Sequence, residues 1–461
     1  MKTGEDMSIN GWPRAVYWIL LAVAFTFTSL AASYFPLQTT LAALGFIGGV
    51  FLLKINKIDT AMIYAIVCLA LFSLYGTWLI TLLIYGYYIA LRLVTSKNQP
   101  RIHTAAKICL IFFIGWLLYA VIQMEWIVKT ENTMKYVKNL VYGVGLVILF
   151  SLHVQTFKKL ITVYNAWLFS LVLMIGIGWW EVLTGNHLPK SGALQYQMDE
   201  VATAAFYNPN DFAFFLIVSL PVLFFSISDK NIGMKAFSWL IMLSSVYFIY
   251  LAQARMIYIL LIGMIFLYMG YLVFYRKIKI VLSIIAGVFL FCLAFLKQLT
   301  DFWQQIISLK GDDGSVEVRR VLTADAWNIA KNNIFGVGAG NIEYYLDQFG
   351  TNVGRIVNVH NWWIEILANY GIFVFSGYVL FMVFSLFWIG KSLLHKAPNA
   401  HYMYPLFFSL LVFTVSCIES SSVAGMGITW LLPAVTICIL NIKKADEDNF
   451  EPSVRGGHYV G

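Results

Sequence analysis

Charge is the scarcest property of this chain. Only 12% of its 461 residues are Asp, Glu, Lys or Arg, against roughly 25% in a soluble globular domain. That deficit excludes an ordinary water-soluble fold. Cysteine is scarce too: Cys68, Cys109, Cys292, Cys417 and Cys438 all lie inside apolar runs. They offer neither a disulfide framework nor a zinc spacing and read as small buried hydrophobes. Familiar catalytic signatures are also missing. There is no His-Glu-x-x-His or other metal-ligand spacing, no nucleotide-binding loop and no Gly-x-Ser-x-Gly elbow. Asp312 and Asp313 are adjacent rather than spaced to grip a sugar nucleotide through a metal. Neither a metal nor a cofactor is expected. No solenoid period and no low-complexity tract interrupts the chain.

What is abundant is apolar surface. Hydrophobic residues make up 60% of the sequence and the mean hydropathy is +0.76. A membrane span needs about 20 mainly apolar residues. By that rule, spans are expected near 15–33, 37–53, 60–74, 77–91, 108–123, 140–152, 160–179, 212–228, 236–251, 257–274, 280–295, 362–389, 404–417 and 428–440. The fold class is therefore all-α, a polytopic integral membrane protein of about 12 to 14 transmembrane helices. The lower count applies if 60–91 is re-entrant. The first apolar run has no small-residue cleavage site behind it and reads as a span rather than a signal peptide.

The formal net charge of +8 does not point to nucleic acid. The basic residues sit in short clusters between apolar runs, where they fix orientation in the bilayer. Most fall on one side of the expected spans, with both chain ends, and that side is assigned to the cytoplasm. The segments near 181–211 and 297–361 then lie outside the membrane. The organisation that follows is N-terminal transmembrane helices at 1–178, core helices with the first outer loop at 179–296, and a long extracytoplasmic loop at 297–361. C-terminal helices at 362–442 and a polar cytoplasmic tail at 443–461 complete it.

The residues with chemical potential gather in those two outer segments and at span ends. Arg255 breaks a long apolar interval. An arginine at membrane depth is costly unless it snorkels or meets an anion, so it is a phosphate ligand or an interfacial anchor. Arg319 and Arg320 are adjacent, and on a helix they point about 100° apart, so only one of them can face a given site. A guanidinium binds phosphate with two charge-assisted hydrogen bonds, but pairing with Glu317 or Asp325 is the alternative. Gly336-Val-Gly-Ala-Gly340 is either a cradle of backbone amides for an anion or a flexible turn. His360 precedes Asn361 at the start of an apolar run. A helix start disfavours the imidazolium, leaving a neutral base; an interfacial histidine in an aromatic belt is the alternative. Glu365 lies inside that run and needs a protein or polar partner there.

Read together, several phrases resemble the bacterial O-antigen ligase and polymerase superfamily. They are Glu181 with Gly185-Asn-His-Leu-Pro189, Asn208-Pro-Asn210-Asp211, Arg255, an arginine followed by Ala326-Trp327, Phe335 to Asn341, and His360-Asn361 followed by Gly371. The resemblance runs from about Trp179 to Cys438. It implies a GT-C-like, metal-independent glycosyltransferase of the bacterial cytoplasmic (inner) membrane with its active site on the extracytoplasmic face. The implied donor is a glycan on undecaprenyl pyrophosphate, the acceptor a sugar hydroxyl, and a chain-length regulator is an allowed partner. By the same resemblance His360 is the base, and Arg255 with Arg319 or Arg320 binds pyrophosphate. The spacing to Ala326-Trp327 favours Arg319. Glu181, Asn208, Asn210, Asn361, Glu365, Gly336 and Gly338 are further site candidates. The early phrases favour a polymerase, for O-antigen, capsule or teichuronic-type polymers, over a ligase acting on a lipid A core. A transporter or flippase is the competing class, but ionisable residues cluster in outer segments and no span repeat is present.

Overall fold

The computed structural model describes residues 55–72, 85–86, 102–196, 201–227, 232–275, 282, 285, 314–351, 357–395, 400–417 and 425–442. The spans expected at 15–33, 37–53 and 280–295, most of that at 77–91, Cys292, the tail and the start of the long loop lie outside these residues. Every regular element among the described residues is helical, the form in which a chain crossing lipid can bond its own backbone.

In chain order the helices are α1 (Ile55–Leu71), α2 (Thr104–Ile122), α3 (Thr130–His153), α4 (Phe157–Thr184), α5 (Gly192–Tyr196), α6 (Pro209–Ile227), α7 (Ile232–Leu251), α8 (Arg255–Phe274), α9 (Gly314–Asn332), α10 (Ile342–Phe349), α11 (Trp362–Leu394), α12 (Ala400–Ser416) and α13 (Gly427–Asn441). Six of them are long and apolar enough to cross a bilayer, and α6, α12 and α13 are shorter apolar helices. Each expected span within the described residues coincides with one of these helices or with α1.

The ends of the helices follow local chemistry. Thr156 caps α4 by accepting from the amide of Lys159, and Gly185 ends it in the left-handed region, φ 65°, as a glycine C-cap does. Packing uses small residues where helices approach closely. Gly143 of α3 receives the indole of Trp430 from α13 with no room for a Cβ. The core is heavily aromatic: Trp116, Tyr370, Tyr378 and Trp430 interlock at ring centroid separations of 5.3 to 5.7 Å around Trp116.

Polar contacts define the two ends of the bundle. At one end His103 donates its amide to Asn441, Tyr164 bonds the carbonyl of Tyr402, and Tyr275 bonds that of Leu393. At the other end Trp179 bonds Ser244, and the amide of Trp362 bonds the carbonyl of Cys417. The second end therefore gathers the C-terminus of α4 and the N-termini of α6, α8 and α11, along with the connections that carry the polar motifs.

The segment expected as one long loop is largely helical where it is described. Leu322, Ala326 and Ala330 of α9 bury against Val337, Ile342, Leu346, Val359 and Leu367. Their i, i+4 spacing gives α9 an apolar stripe, so it packs on α11 as a cap with its own small core.

Candidate functional site

The centre of the cap is a break in α11. Gly371 takes φ 76°, ψ −177° inside the helix, which interrupts the i to i−4 ladder and releases carbonyls. The glycine-rich segment fills the gap. Val337 and Gly338 donate their amides to the carbonyls of Ala368 and Asn369 at 2.9 and 3.0 Å, and Ile372 donates to Ile334 at 3.0 Å. Gln123 bonds the carbonyls of both Phe335 and Asn369 at 3.0 Å, and the Tyr119 hydroxyl bonds that of Phe335 at 2.6 Å. The side chain of Asn341 accepts from Lys129 and donates to Thr133, and that of Asn369 accepts from Ile342.

In this structure the segment is a clasp on α11, with the amides of Gly336, Val337 and Gly338 engaged by protein carbonyls. Gly336 and Gly338 need positive φ, 80° and 97°, and a Cβ on Gly336 would strike the Asn369 backbone while one on Gly338 would strike Ile127. The amides of Gly336, Val337 and Gly338 all point at protein carbonyls, so a bound anion would have to displace them. The sequence reading missed the partners that make this clasp. Gln123 and Asn369 were legible only as lone amides at the end of, or within, apolar runs. Such residues have to find partners inside the protein.

The first polar segment is pinned by one buried carboxylate. Glu181 accepts from the amides of Thr203 and Ala204 at 2.7 Å each, from the Thr203 hydroxyl at 3.0 Å, and lies 3.2 Å from Nδ1 of His187. Asn208 caps α6 by accepting from Asp211 at 2.8 Å, and Asn210 is exposed. The oxygen atoms of Glu181 and Asn208 are thus engaged in holding the chain. These residues position the segment.

The arginine pair divides as adjacent helical residues do. Arg320 turns outward and pairs with Glu317 at 2.9 Å, the two side chains being 77% and 59% exposed. Arg319 is half-buried on the edge of the α9 stripe. Its charge is felt at His360, whose imidazole is held below the ordinary histidine range, first by burial and second by Arg319. His360 sits in the left-handed region, φ 52°, a conformation that histidine visits more than most residues. Asn361 then caps α11, its side chain accepting from Ile364 at 3.2 Å. Glu365, one turn on, is buried and accepts from Tyr136 at 3.0 Å; the same hydroxyl is 3.2 Å from Glu343.

Arg255 is the first residue of α8, exposed, just after Gln253 in a left-handed turn. It lies at the same end of the bundle as His360, on a helix that packs chiefly against α12 and α6. The structure therefore brings the Arg319 charge within electrostatic reach of His360, gathers Gly336, Gly338 and Glu365 around the outer part of α11, and sets Glu181, Asn208 and Asn210 in a separately pinned segment. Among the described residues, no three His, Cys, Asp or Glu side chains converge as metal ligands.

A family profile described as O-antigen ligase matches residues 240–381, an interval that holds Arg255, the cap, His360 and the break at Gly371. The chain is also 29% identical over 365 residues to the teichuronic acid biosynthesis protein TuaE of Bacillus subtilis (strain 168), covering 75% of this chain and 74% of that protein.

Proposed function

We propose that the chain, which is similar to the O-antigen ligase family over residues 240–381 and to a teichuronic acid biosynthesis protein over most of its length, is a membrane glycosyltransferase of the O-antigen ligase and polymerase superfamily that joins undecaprenyl-pyrophosphate-linked repeat units into a surface polysaccharide. What supports this reading is the setting of His360, half-buried at the start of α11 in a left-handed turn, with burial and then the Arg319 charge lowering its proton affinity. A half-buried histidine set beside a guanidinium stays neutral, as a base must be to accept a proton near neutral pH. The guanidinium beside it is suited to a phosphate.

In this reading His360 takes the proton of an acceptor sugar hydroxyl. The acceptor oxygen bonds the anomeric carbon as the bond from that carbon to the phosphate oxygen breaks. The pyrophosphate leaves with the electron pair, and Arg319, assisted by Arg255 from the mouth of α8, stabilises its charge. Preorganised donors aimed at developing charge contribute about 10²- to 10³-fold each, so a metal is not required. Glu181, Asn208 and Asn361 hold the segments that carry these groups, and Glu365 anchors α11 to α3. The distribution of basic residues turns this end of the bundle to the extracytoplasmic face of the cytoplasmic membrane.

Polymerisation is favoured because the similar protein of Bacillus subtilis is described as one of teichuronic acid biosynthesis. The description of the matching family, O-antigen ligase, favours a second reading, transfer of the glycan to a lipid A core with the same donor and base. Reconstitution separates them: the purified chain in nanodiscs is given a defined undecaprenyl-pyrophosphate-linked repeat unit alone. A ladder of longer lipid-linked glycans is the expected product. Transfer that begins only when a lipid A core is added makes it a ligase, and no transfer under either condition overturns glycosyl transfer.

A further inference from the structure

The length of α11 sets a height scale for the cap. It consists of two helical stretches that meet at the break at Gly371, and the hydrocarbon core of a bilayer is about 30 Å thick. From the break at Gly371 to Lys391 the helix runs for about 20 residues, enough to cross that core, and Trp362 to Tyr370 project beyond it. The break at Gly371 therefore lies at the edge of the hydrocarbon, and so does whatever is clasped to it.

What is clasped there is apolar and uncovered. Ile334 and Phe335 are 58% and 57% exposed although the clasp fixes their backbone. The ring of Phe335 lies 6.0 Å from that of Phe373, which is 67% exposed and begins the exposed row Phe373, Leu380, Val383 and Phe387 along α11. Continuing upward from Phe335, the outward face of α9 reads Lys331, Trp327, Ala324, Arg320. Trp327 is exposed, with the Lys331 ammonium 5.5 Å from its ring. The Lys331 stem starts one turn below Trp327 and its ammonium reaches up to the level of the indole, as a snorkelling cation does above apolar residues at a bilayer interface.

We infer that this strip seats α9 in one leaflet of the membrane. Ile334 and Phe335 enter the edge of the acyl region, Trp327 sits at the headgroup boundary, and Lys331 contacts an anionic phospholipid headgroup. The occupant is lipid because the strip is continuous with the lipid-facing side of α11. The seat fixes α9 at the height of lipid phosphates, with Arg319 about 100° around the helix on its inner side. The inference does not depend on which reaction the site performs.

Depth measurement tests it on the full chain in nanodiscs of phosphatidylcholine and phosphatidylglycerol. Spin labels are placed at Trp327→Cys and Phe335→Cys, with Val383→Cys on α11 as the lipid standard and Asp347→Cys on α10 as the water standard; the parent chain supplies the background. The Phe335 label is expected to collide with oxygen, relative to a water-soluble nickel chelate, several-fold more than the Asp347 label does. The Trp327 label should fall between the two standards and shift toward water in a Lys331→Glu background. A Phe335 label with the ratio of the Asp347 label overturns the seat. A Trp327 label indifferent to Lys331→Glu overturns the headgroup contact.

Discussion

Two parts of the cap look alike in sequence and behave differently in space. The glycine-rich clasp and the Arg319–His360 pair are both short polar motifs flanking α11. In the clasp, amides and carbonyls are matched to one another across the break at Gly371, so its chemistry is consumed in fixing geometry. At the pair, a guanidinium stands beside a half-buried imidazole and lowers its proton affinity. Such like-signed neighbours do not stabilise a fold. The difference teaches that the hydrogen bonds of the clasp explain its place in the fold, whereas the perturbed imidazole of His360 marks where a functional role is to be tested.

The comparison breaks most decisively at His360. His360→Ala should lower glycan transfer by about 10²- to 10⁴-fold, the range for loss of a general base, while the protein still accumulates in the membrane. Chains of normal length from a stably expressed variant would remove His360 from the chemistry. Arg319→Gln should cost about 10²- to 10³-fold, measured as turnover of a lipid-linked repeat unit. On the clasp side the loss should be one of stability. Gly371→Ala needs a non-glycine residue at φ 76° and drives a Cβ into the backbone of Ile334 and Phe335. It should destabilise the cap by roughly 1–3 kcal/mol or more, read as a lower melting temperature and faster proteolysis of α9.

Smaller effects sharpen the contrast. Because the neutral imidazole is the active form and its pKa is lowered, the acid limb of activity should lie below the ordinary histidine value of about 6.5. Removing the Arg319 charge raises that pKa, so the residual activity of Arg319→Gln should have its acid limb at higher pH than the parent. An unmoved limb would show that the two groups are not electrostatically coupled. Least affected is Arg320→Gln. Its exposed pair with Glu317 contributes only about 0–1 kcal/mol, so turnover and melting temperature should stay near those of the parent. A loss matching that of Arg319→Gln would erase the distinction between the two.

The fold was legible wherever hydrophobic length decided it. The apolar runs at 108–123, 140–152, 160–179 and 257–274 became α2, α3, α4 and α8, because a long apolar run in lipid has no alternative to a helix. The cap was less so: α9 has ordinary amphipathic spacing inside a polar interval, and its stripe acquires meaning only against Leu367 and Ala368 of α11. Site residues divide in the same way. His360 and Arg255 stood out as ionisable groups at span ends and Arg319 with Arg320 as an adjacent pair in a polar segment, while Gln123 and Asn369 passed as lone amides at the end of or within apolar runs. Gly336 and Gly338 were visible as glycines, but whether their amides face an anion or a carbonyl depends on a chain segment some 30 residues away.

The sequence by itself determined that this is a helical membrane protein whose chemistry gathers in two polar segments, because apolar length and the cost of burying charge are local properties. Only the tertiary structure decided where the amides of the glycine segment go and which arginine turns outward to Glu317. A backbone amide or a guanidinium is defined by its partner, and here those partners come from α2, α3 and α11, far apart in the chain.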